Sequence, residues 1–388
     1  MNPAPPARVL PVLVLAQLAG VSPWFAVNAV MPALQRDYGW NAAAVGTLTS
    51  AVQLGFIAGT LLFALLAVAD RFSPRRVFLL CSLAGAACTL AGAFSAGSFQ
   101  QLLLWRSATG FFMAGIYPVG MKIASQWFPQ GLGGALGWLI GALVLGSASA
   151  HAVRAIGAAL PWTMVFHTVA AAAALSGVLL YLALPDRPRP AGQGPGLRWQ
   201  ALGSIWTDRK VRASVFGYFG HMWELYTMWV LVPAILATRL AGASLSWAAF
   251  AVLGVGALGC IVGGRWARRI GSARVAAWQL SLSGLCCVLA PWLLQAGDAL
   301  FAAWLLVWGI TVAGDSPQFS ALTAQNAPPQ AVGSVLTLVN SIGFGISILS
   351  IQLFVTLAER HELGTLLPWL GLGPLLGVWA LRPLWRPR

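Results

Sequence analysis

The residues of this chain that could do chemistry are few, and they stand inside apolar runs. In GYFGHMWELYTMW, residues 217–229, His221 and Glu224 lie three positions apart. At helical spacing they share a face with Gly217 and Met228, while Trp223, Tyr226 and Trp229 spread around the helix. That face can line a cavity, where Glu224 can take and release a proton and His221 can tune it or hold a ligand. The competing reading is a buried pair that locks two helices. A second acid, Asp315, opens GDSPQFSALTAQ, followed by Ser316, Gln318, Ser320 and Thr323. Pro317 removes a backbone donor and favours a kink just there. Asp315 therefore reads as a second protonatable group, as the partner of a cation, or as a cap on a broken helix. In the first half of the chain Arg106 offers a planar fork suited to a carboxylate, and Tyr117 follows three turns later. A structural ion pair is the alternative for Arg106. Asn28, Thr49 and Gln53 add polar groups from that half, and Asn340, Ser341 and Ser347 from the other. Lys122 lies closer to a helix end, from which its amine can snorkel to an interface. His151 and His167 sit toward the ends of their runs and read as interfacial or structural.

The elements that hold these groups are set by composition. The 388 residues are 59% hydrophobic and 8% charged, with a mean hydropathy of +0.78. Soluble domains are about a quarter charged. Apolar windows of about 20 residues, enough to cross ~30 Å of hydrocarbon, recur along the whole chain. An ionisable group in such a window costs on the order of 2.5–3.5 kcal/mol, so each one needs a role. The expected class is an all-α polytopic membrane protein. Twelve spans are predicted, at 9–33, 42–69, 76–97, 99–128, 132–155, 161–184, 212–238, 246–267, 274–295, 299–325, 332–357 and 364–384. The first reads as a retained helix rather than a cleaved leader, because its apolar run continues past Trp24 without a clear cleavage site. Residues 185–211, rich in Pro, Gly and charge, read as a linker between the halves 1–184 and 212–388.

The formal net charge of +14 would suggest nucleic acid in a soluble chain, but here its location matters more than its sum. Alternate loops collect Arg8, then Arg71, Arg75 and Arg76, then the linker, then Arg265, Arg268, Arg269 and Arg274, then Arg382, Arg386 and Arg388. The opposite loops hold Arg36, Arg154, Arg239 and Arg360. This bias predicts both termini in the cytoplasm and no nucleic-acid partner. Cys81, Cys88, Cys260, Cys286 and Cys287 stand in apolar runs without CxxC spacing, which indicates neither a disulfide framework nor zinc. The sequence has no G-x-x-x-x-G-K-[ST] loop for a nucleotide. Nor does it carry G-x-S-x-G or H-E-x-x-H, so an intramembrane enzyme lacks its signature.

The two halves read as copies. ADRFSPRR after the second span and GGRWARRIGSAR after the eighth are short basic loops almost 200 residues apart. On these loops, the spans and the charge bias, the chain resembles the major facilitator superfamily over nearly its full length. The family's loop signature, roughly G-x-x-x-D-R-x-G-R-R, is matched by Asp70, Arg71, Arg75 and Arg76, with Ser73-Pro74 in place of a single glycine. The second copy keeps Gly264, Arg269, Gly271 and Arg274, with Arg268 where the acid would be. The resemblance implies that this loop is a conformational latch, carried here by Asp70 with Arg71, Arg75 and Arg76, and one-sided. RSATG, residues 106–110, is similar to the family's fourth-helix R-x-x-x-G. GIYPVGMKIASQWFP is similar to that helix's ending in anion-symporter branches. The fifth-helix G-x-x-x-G-P of antiporters is absent, as are the marks of nitrate porters.

The resemblance implies twelve helices in two six-helix bundles with a substrate site between them. The expected function is secondary active transport of a small polar solute, an organic anion or zwitterion, by alternating access with proton coupling. Glu224 and Asp315 would couple protons, and Arg106, Tyr117, His221, Asn28, Gln53, Gln318 and Asn340 would bind substrate. The expected setting is a bacterial-type inner membrane, as a monomer without cofactor. The alternatives are a copper-type transporter using Met113, Met121, His221, Met222 and Met228, and an intramembrane enzyme.

Overall fold

The structure is a computed structural model that describes residues 6–41, 43–128, 132–186, 203–328 and 331–385. The described residues form helices and no strands. α1 (Val9–Gly20) and α2 (Ala26–Tyr38) fill the first expected span on either side of turns at 21–25. α3 (Ala44–Leu65) fills the second. It stops short of residue 69 because Ala67 takes a left-handed φ of 51° and starts the short α4 (Val68–Arg71). α5 (Pro74–Phe94) begins with Ser73 as its cap, the Ser73 Oγ accepting from Arg76 N at 3.4 Å, and Pro74 in its first turn. The Ser-Pro insertion in this loop is thus a helix start, a cap followed by a residue that needs no N–H partner.

α6 (Phe99–Met113) and α7 (Tyr117–Trp127) are separated at 114–116. α8 (Leu132–Ile156) and α9 (Thr163–Ala183) complete the first half of the chain. Of the expected linker, residues 187–202 lie outside the described residues, and α10 (Gly203–Thr207) occupies part of the rest. The basic tail beyond Trp385 lies outside them as well. α11 (Arg209–Ala237) is capped by Asp208, which accepts from Lys210 N and Val211 N at 2.7 and 3.1 Å. Then follow α12 (Gly242–Gly254), α13 (Gly256–Ile270), α14 (Ser272–Leu293), α15 (Asp298–Gly314) and α16 (Ser316–Asn326). α17 (Val332–Ala358), α18 (Leu363–Leu370) and α19 (Leu372–Leu381) are the last α-helices among the described residues.

Among the described residues nine helical segments are long and apolar enough to cross a membrane, with α12–α13, α15–α16 and α18–α19 each counted as one. Three of the expected spans fall outside this set for visible reasons. The first and fourth are interrupted, at 21–25 and 114–116. The seventh, α11, carries Arg209, Lys210, Arg212, His221 and Glu224 among weakly apolar Tyr and Trp. The helix break expected at Pro317 falls at Asp315, between α15 and α16, with the proline in the first turn of α16.

Glycines set the closest helix contacts, and they do so twice. A methyl group added at Gly110 of α6 would run into the Val52 carbonyl of α3, and one at Gly59 of α3 into the Phe111 carbonyl. A methyl at Gly309 of α15 would meet the Val252 carbonyl of α12, and one at Gly259 of α13 the Ile310 carbonyl. Each residue of the second set stands 199 or 200 positions after its counterpart. The repeat read from the basic loops is therefore also a repeat of backbone packing, in which small residues let helices approach without side chains between them.

Candidate central cavity and buried charges

A cavity of only about 50 Å³, room for a few water molecules, lies between helices of the two halves. From the first half it is lined by Trp24, Tyr117, Ile140, Leu143 and Val144. α11 presents Tyr218, Met222, Leu225, Tyr226 and Trp229, and Ala313, Ser316, Ser320, Asn340 and Phe344 complete it. Aromatic rings close one side of it across the two halves. Trp24 stacks on Tyr226 with centroids 5.9 Å apart, and Phe344 lies 5.2 Å from Tyr226 and 5.7 Å from Trp24. Phe25 packs against Trp229 at 5.5 Å behind them.

The α11 stripe that meets the cavity is offset from the one expected. Gly217, His221, Glu224 and Met228 turn away from it, and Gly217 packs on Phe319 and Leu381. Glu224 is fully buried among α14 and α15. Its Oε1 accepts from Trp308 Nε1 at 2.7 Å and from Cys287 Sγ at 3.2 Å, and its Oε2 accepts from Ser283 Oγ at 2.8 Å. The reason is local chemistry: that side supplies three donors, and the cavity side of α11 supplies aromatic and aliphatic groups.

His221 and Asp315 meet. The imidazole Nδ1 lies 2.8 Å from Asp315 Oδ1, and both side chains are sealed from solvent. On its other edge Nε2 is 2.6 Å from Ser316 Oγ, and Ser316 lines the cavity. The rings of Tyr218 and Phe319 flank the imidazole at 5.8 and 5.7 Å. Asp315, His221 and Ser316 thus lie in contact one after another, from the protein interior to the cavity wall. Its geometry follows from the break between α15 and α16, which places consecutive residues on the two edges of one imidazole.

The remaining expected site residues are spread out. Tyr117 and Asn340 line the cavity from opposite halves. Arg106 is buried within the first half: Nη1 donates to the Pro23 carbonyl at 2.8 Å and Nη2 to the Trp24 carbonyl. It fastens the turn between α1 and α2, adding a second donor to the Pro23 carbonyl, which also accepts from Ala26 N at 3.2 Å, and one to the Trp24 carbonyl. Asn28 pairs with Thr49, Nδ2 donating to Oγ1 at 3.1 Å. Gln318 is buried in the first turn of α16, its backbone N–H donating to the Asp315 carbonyl at 2.9 Å. Asp70 pairs with Lys122 of α7, so that lysine is held by an acid. Arg75 pairs with Asp186 at 3.0 Å and donates to the Tyr181 and Leu184 carbonyls, and Ser73 Oγ donates to Asp186 at 2.6 Å. Arg71 and Arg76 stand on either side of this turn.

Gln53 belongs to a seam between the halves. α3 and α17 run antiparallel and are joined in steps. Ala43 N donates to Glu359 Oε1 at 3.1 Å, Gln352 Nε2 to Ser50 Oγ at 2.8 Å, and Ser347 Oγ to Gln53 Oε1 at 3.1 Å. Phe56 and Phe344, 5.0 Å apart, end the ladder at the cavity. Sequence reasoning missed Trp24, Tyr218, Phe344 and Glu359. The signal was present only as aromatic residues inside polar-poor runs, and nothing in one sequence pairs residue 43 with residue 359.

Comparison with known proteins supports the same architecture. The family model for the Major Facilitator Superfamily matches residues 13–351. The uncharacterized transporter YgaY of Escherichia coli O157:H7 is 29% identical over 185 residues, which is 47% of this chain and 45% of the relative; the strain K12 protein matches equally. The chain thus spans about half the length of the curated relatives it matches. Among solved structures, the human organic anion transporter MFSD10 superposes with a TM-score of 0.74 at 17% identity, covering 96% of this chain and 99% of the other. A bacterial homologue of the human lysosomal transporter Spinster, inward-facing and unoccupied, gives 0.71 at 16% identity over 97% and 94%. A mutant of the nucleoside transporter NupG gives 0.72 at 15% over 97% and 100%. At these identities the likeness is one of fold.

Proposed function

The chain belongs to the major facilitator superfamily, and from that premise we propose that it is a proton-coupled secondary active transporter of a small organic solute. In this reading the chain crosses a bacterial-type inner membrane twelve times as a monomer. Residues 1–184 and 212–388 form two six-helix bundles, joined by 185–211, with both termini in the cytoplasm. The basic loops support that orientation. It puts the α3–α17 seam at the outer face, so the state described is closed outward and the halves must part there to complete a cycle.

The observation that carries the reading is the cavity built from both halves with a seam on one side of it. Rocking of two rigid halves about such a site alternates its exposure. Tyr117 and Asn340 are the polar contacts for cargo, and the Asp315–His221–Ser316 chain is the proton site that touches the cavity. Glu224, with three donors on its oxygens, positions α11 against α14 and α15. Arg106 shapes the cavity by holding the turn that carries Trp24. The Asp70–Lys122 and Arg75–Asp186 pairs stiffen the inner ends of the first half as that half moves.

The test uses proteoliposomes holding a pH-sensitive dye, screened with organic anions, zwitterions and neutral solutes. A true substrate moves protons with it in the wild-type protein. Asp315→Asn is expected to abolish that proton movement while leaving counterflow exchange of the solute in place. Full proton movement by Asp315→Asn sinks the coupling assignment. No solute-dependent flux of any kind sinks transport.

A further inference from the structure

Within the transport reading, we propose that the central cavity takes a planar aromatic solute bearing a carboxylate or carbonyl acceptor, gripped by Trp24 and Trp229. Two independent features lead there. The first is shape: across the halves Trp24 stacks on Tyr226, Phe344 tilts against both, and Trp229 meets Tyr226 edge to face. A flat ring entering as the halves part replaces that stacking with stacking of its own, whereas an aliphatic ring does not. The second is hydrogen bonding. Trp24 and Trp229 line the cavity, each is 1% exposed, and the indole Nε1 of each is buried without a partner. Buried indole N–H groups are ordinarily paired, because leaving one unmade costs its desolvation. Two unmet donors at one cavity call for a ligand that brings acceptors.

Aromatic faces alone would serve a cation equally well. The donors decide against it, and so does the placement of the acids: Asp315 is engaged by His221, and Glu224 faces α14 and α15, away from the cavity. The cavity's hydroxyl and amide groups, on Tyr117, Ser320 and Asn340, can donate to an acceptor as readily as accept.

The full chain in nanodiscs is assayed for [14C]benzoate binding by scintillation proximity, with unlabelled competitors. Benzoate is expected to bind, and cyclohexanecarboxylate and benzylamine to compete about tenfold more weakly or worse. Trp24→Phe and, separately, Trp229→Phe keep a ring and delete the donor; each should weaken benzoate by about tenfold. Trp247→Phe, at an exposed tryptophan that does not line the cavity, should leave it unchanged. In parallel, spin labels at Asn41→Cys and Arg360→Cys, both exposed beside the seam, report whether the halves move. No benzoate binding, equal competition by benzylamine, or indifference to both cavity variants overturns the ligand class whatever the labels do. Labels that hold one distance while the tryptophan-dependent binding persists overturn alternating access and leave the ligand class standing.

Discussion

Glu224 and Asp315 carry the same kind of group in the same half of the chain, and their surroundings differ. Glu224 is ringed by the Trp308, Cys287 and Ser283 donors, all from helices behind α11. Among the described side chains Asp315 pairs with His221, and that partner reaches a residue on the cavity wall. A side chain held by three donors resists motion, and one linked through an imidazole to a cavity can answer its occupancy. Glu224→Gln puts an amide N–H₂ against donors that need acceptors, so it should destabilise by about 2–3 kcal/mol. That appears as a lower melting temperature in detergent, while proton coupling persists in the protein that remains folded. Ser316→Ala removes a single contact, the hydroxyl at His221 Nε2, so it should cost only about 1 kcal/mol in melting and slow solute-driven proton entry, measured in the same vesicles. Equal melting of Glu224→Gln and wild type would show that the donor ring is not structural. At this scale the sequence reveals which residues are costly to bury, because cost follows from residue type. It does not reveal which way they point. The face carrying His221 and Glu224 and the face carrying Tyr218, Met222 and Tyr226 are both apolar with inserted polar groups, so periodicity alone cannot choose between them.

The helices show what periodicity can and cannot decide. Apolar runs bounded by charge place every long helix to within a few residues, because a span must satisfy its own backbone. Interruptions are harder to read: Pro317 announces the break at Asp315, whereas the break at 114–116 has its proline at Pro118 inside a run that reads as continuous. The two breaks are centred 200 residues apart, and the glycine contacts beside them 199 or 200. This equivalence makes a paired prediction. Gly110→Ala and Gly309→Ala each drive a methyl group into a carbonyl of the neighbouring helix, at Val52 and Val252. Neither neighbour can yield as a flexible side chain would, so each substitution should cost about 1–3 kcal/mol. Gly345, beside whose added methyl nothing lies within 4 Å, gives the control: Gly345→Ala should be neutral or slightly stabilising in its helix. Monodisperse yield and melting temperature of the three variants test the repeat as a packing device. Two variants that behave like the control would reduce the repeat to a similarity of sequence.

Across the whole molecule, the halves meet along two lines. α8 packs on α12 and α13, where Gly141 lies against Ala257, and α3 packs on α17. Among the described residues only the second line is stepped by hydrogen bonds between side chains of the two halves, and it ends in the aromatic cluster over the cavity. An interface meant to open needs contacts that are individually weak and made together, since a single strong lock would trap one state. The outermost step is the weakest by environment: Glu359 is exposed and accepts from Ala43 N at the start of α3. A carboxylate at a helix N-terminus in an exposed position is worth about 0.3–1 kcal/mol. Glu359→Gln should therefore shift the balance between closed and open seam by up to about fivefold without touching the cavity. Gln53→Ala removes the innermost hydrogen-bonded step, where burial makes its loss larger, and should shift it further in the same direction. The measurement is labelling by a membrane-impermeant thiol reagent at Ile351→Cys, a position fully buried against α3 beside Gly46, in a background whose five native cysteines are replaced. Labelling should quicken in the order wild type, Glu359→Gln, Gln53→Ala, and it should slow in all three when the seam is cross-linked between Asn41→Cys and Arg360→Cys. Rates that are equal across the series would mean that this ladder follows the motion of the halves and does not set it, and the control of opening would then have to lie along α8.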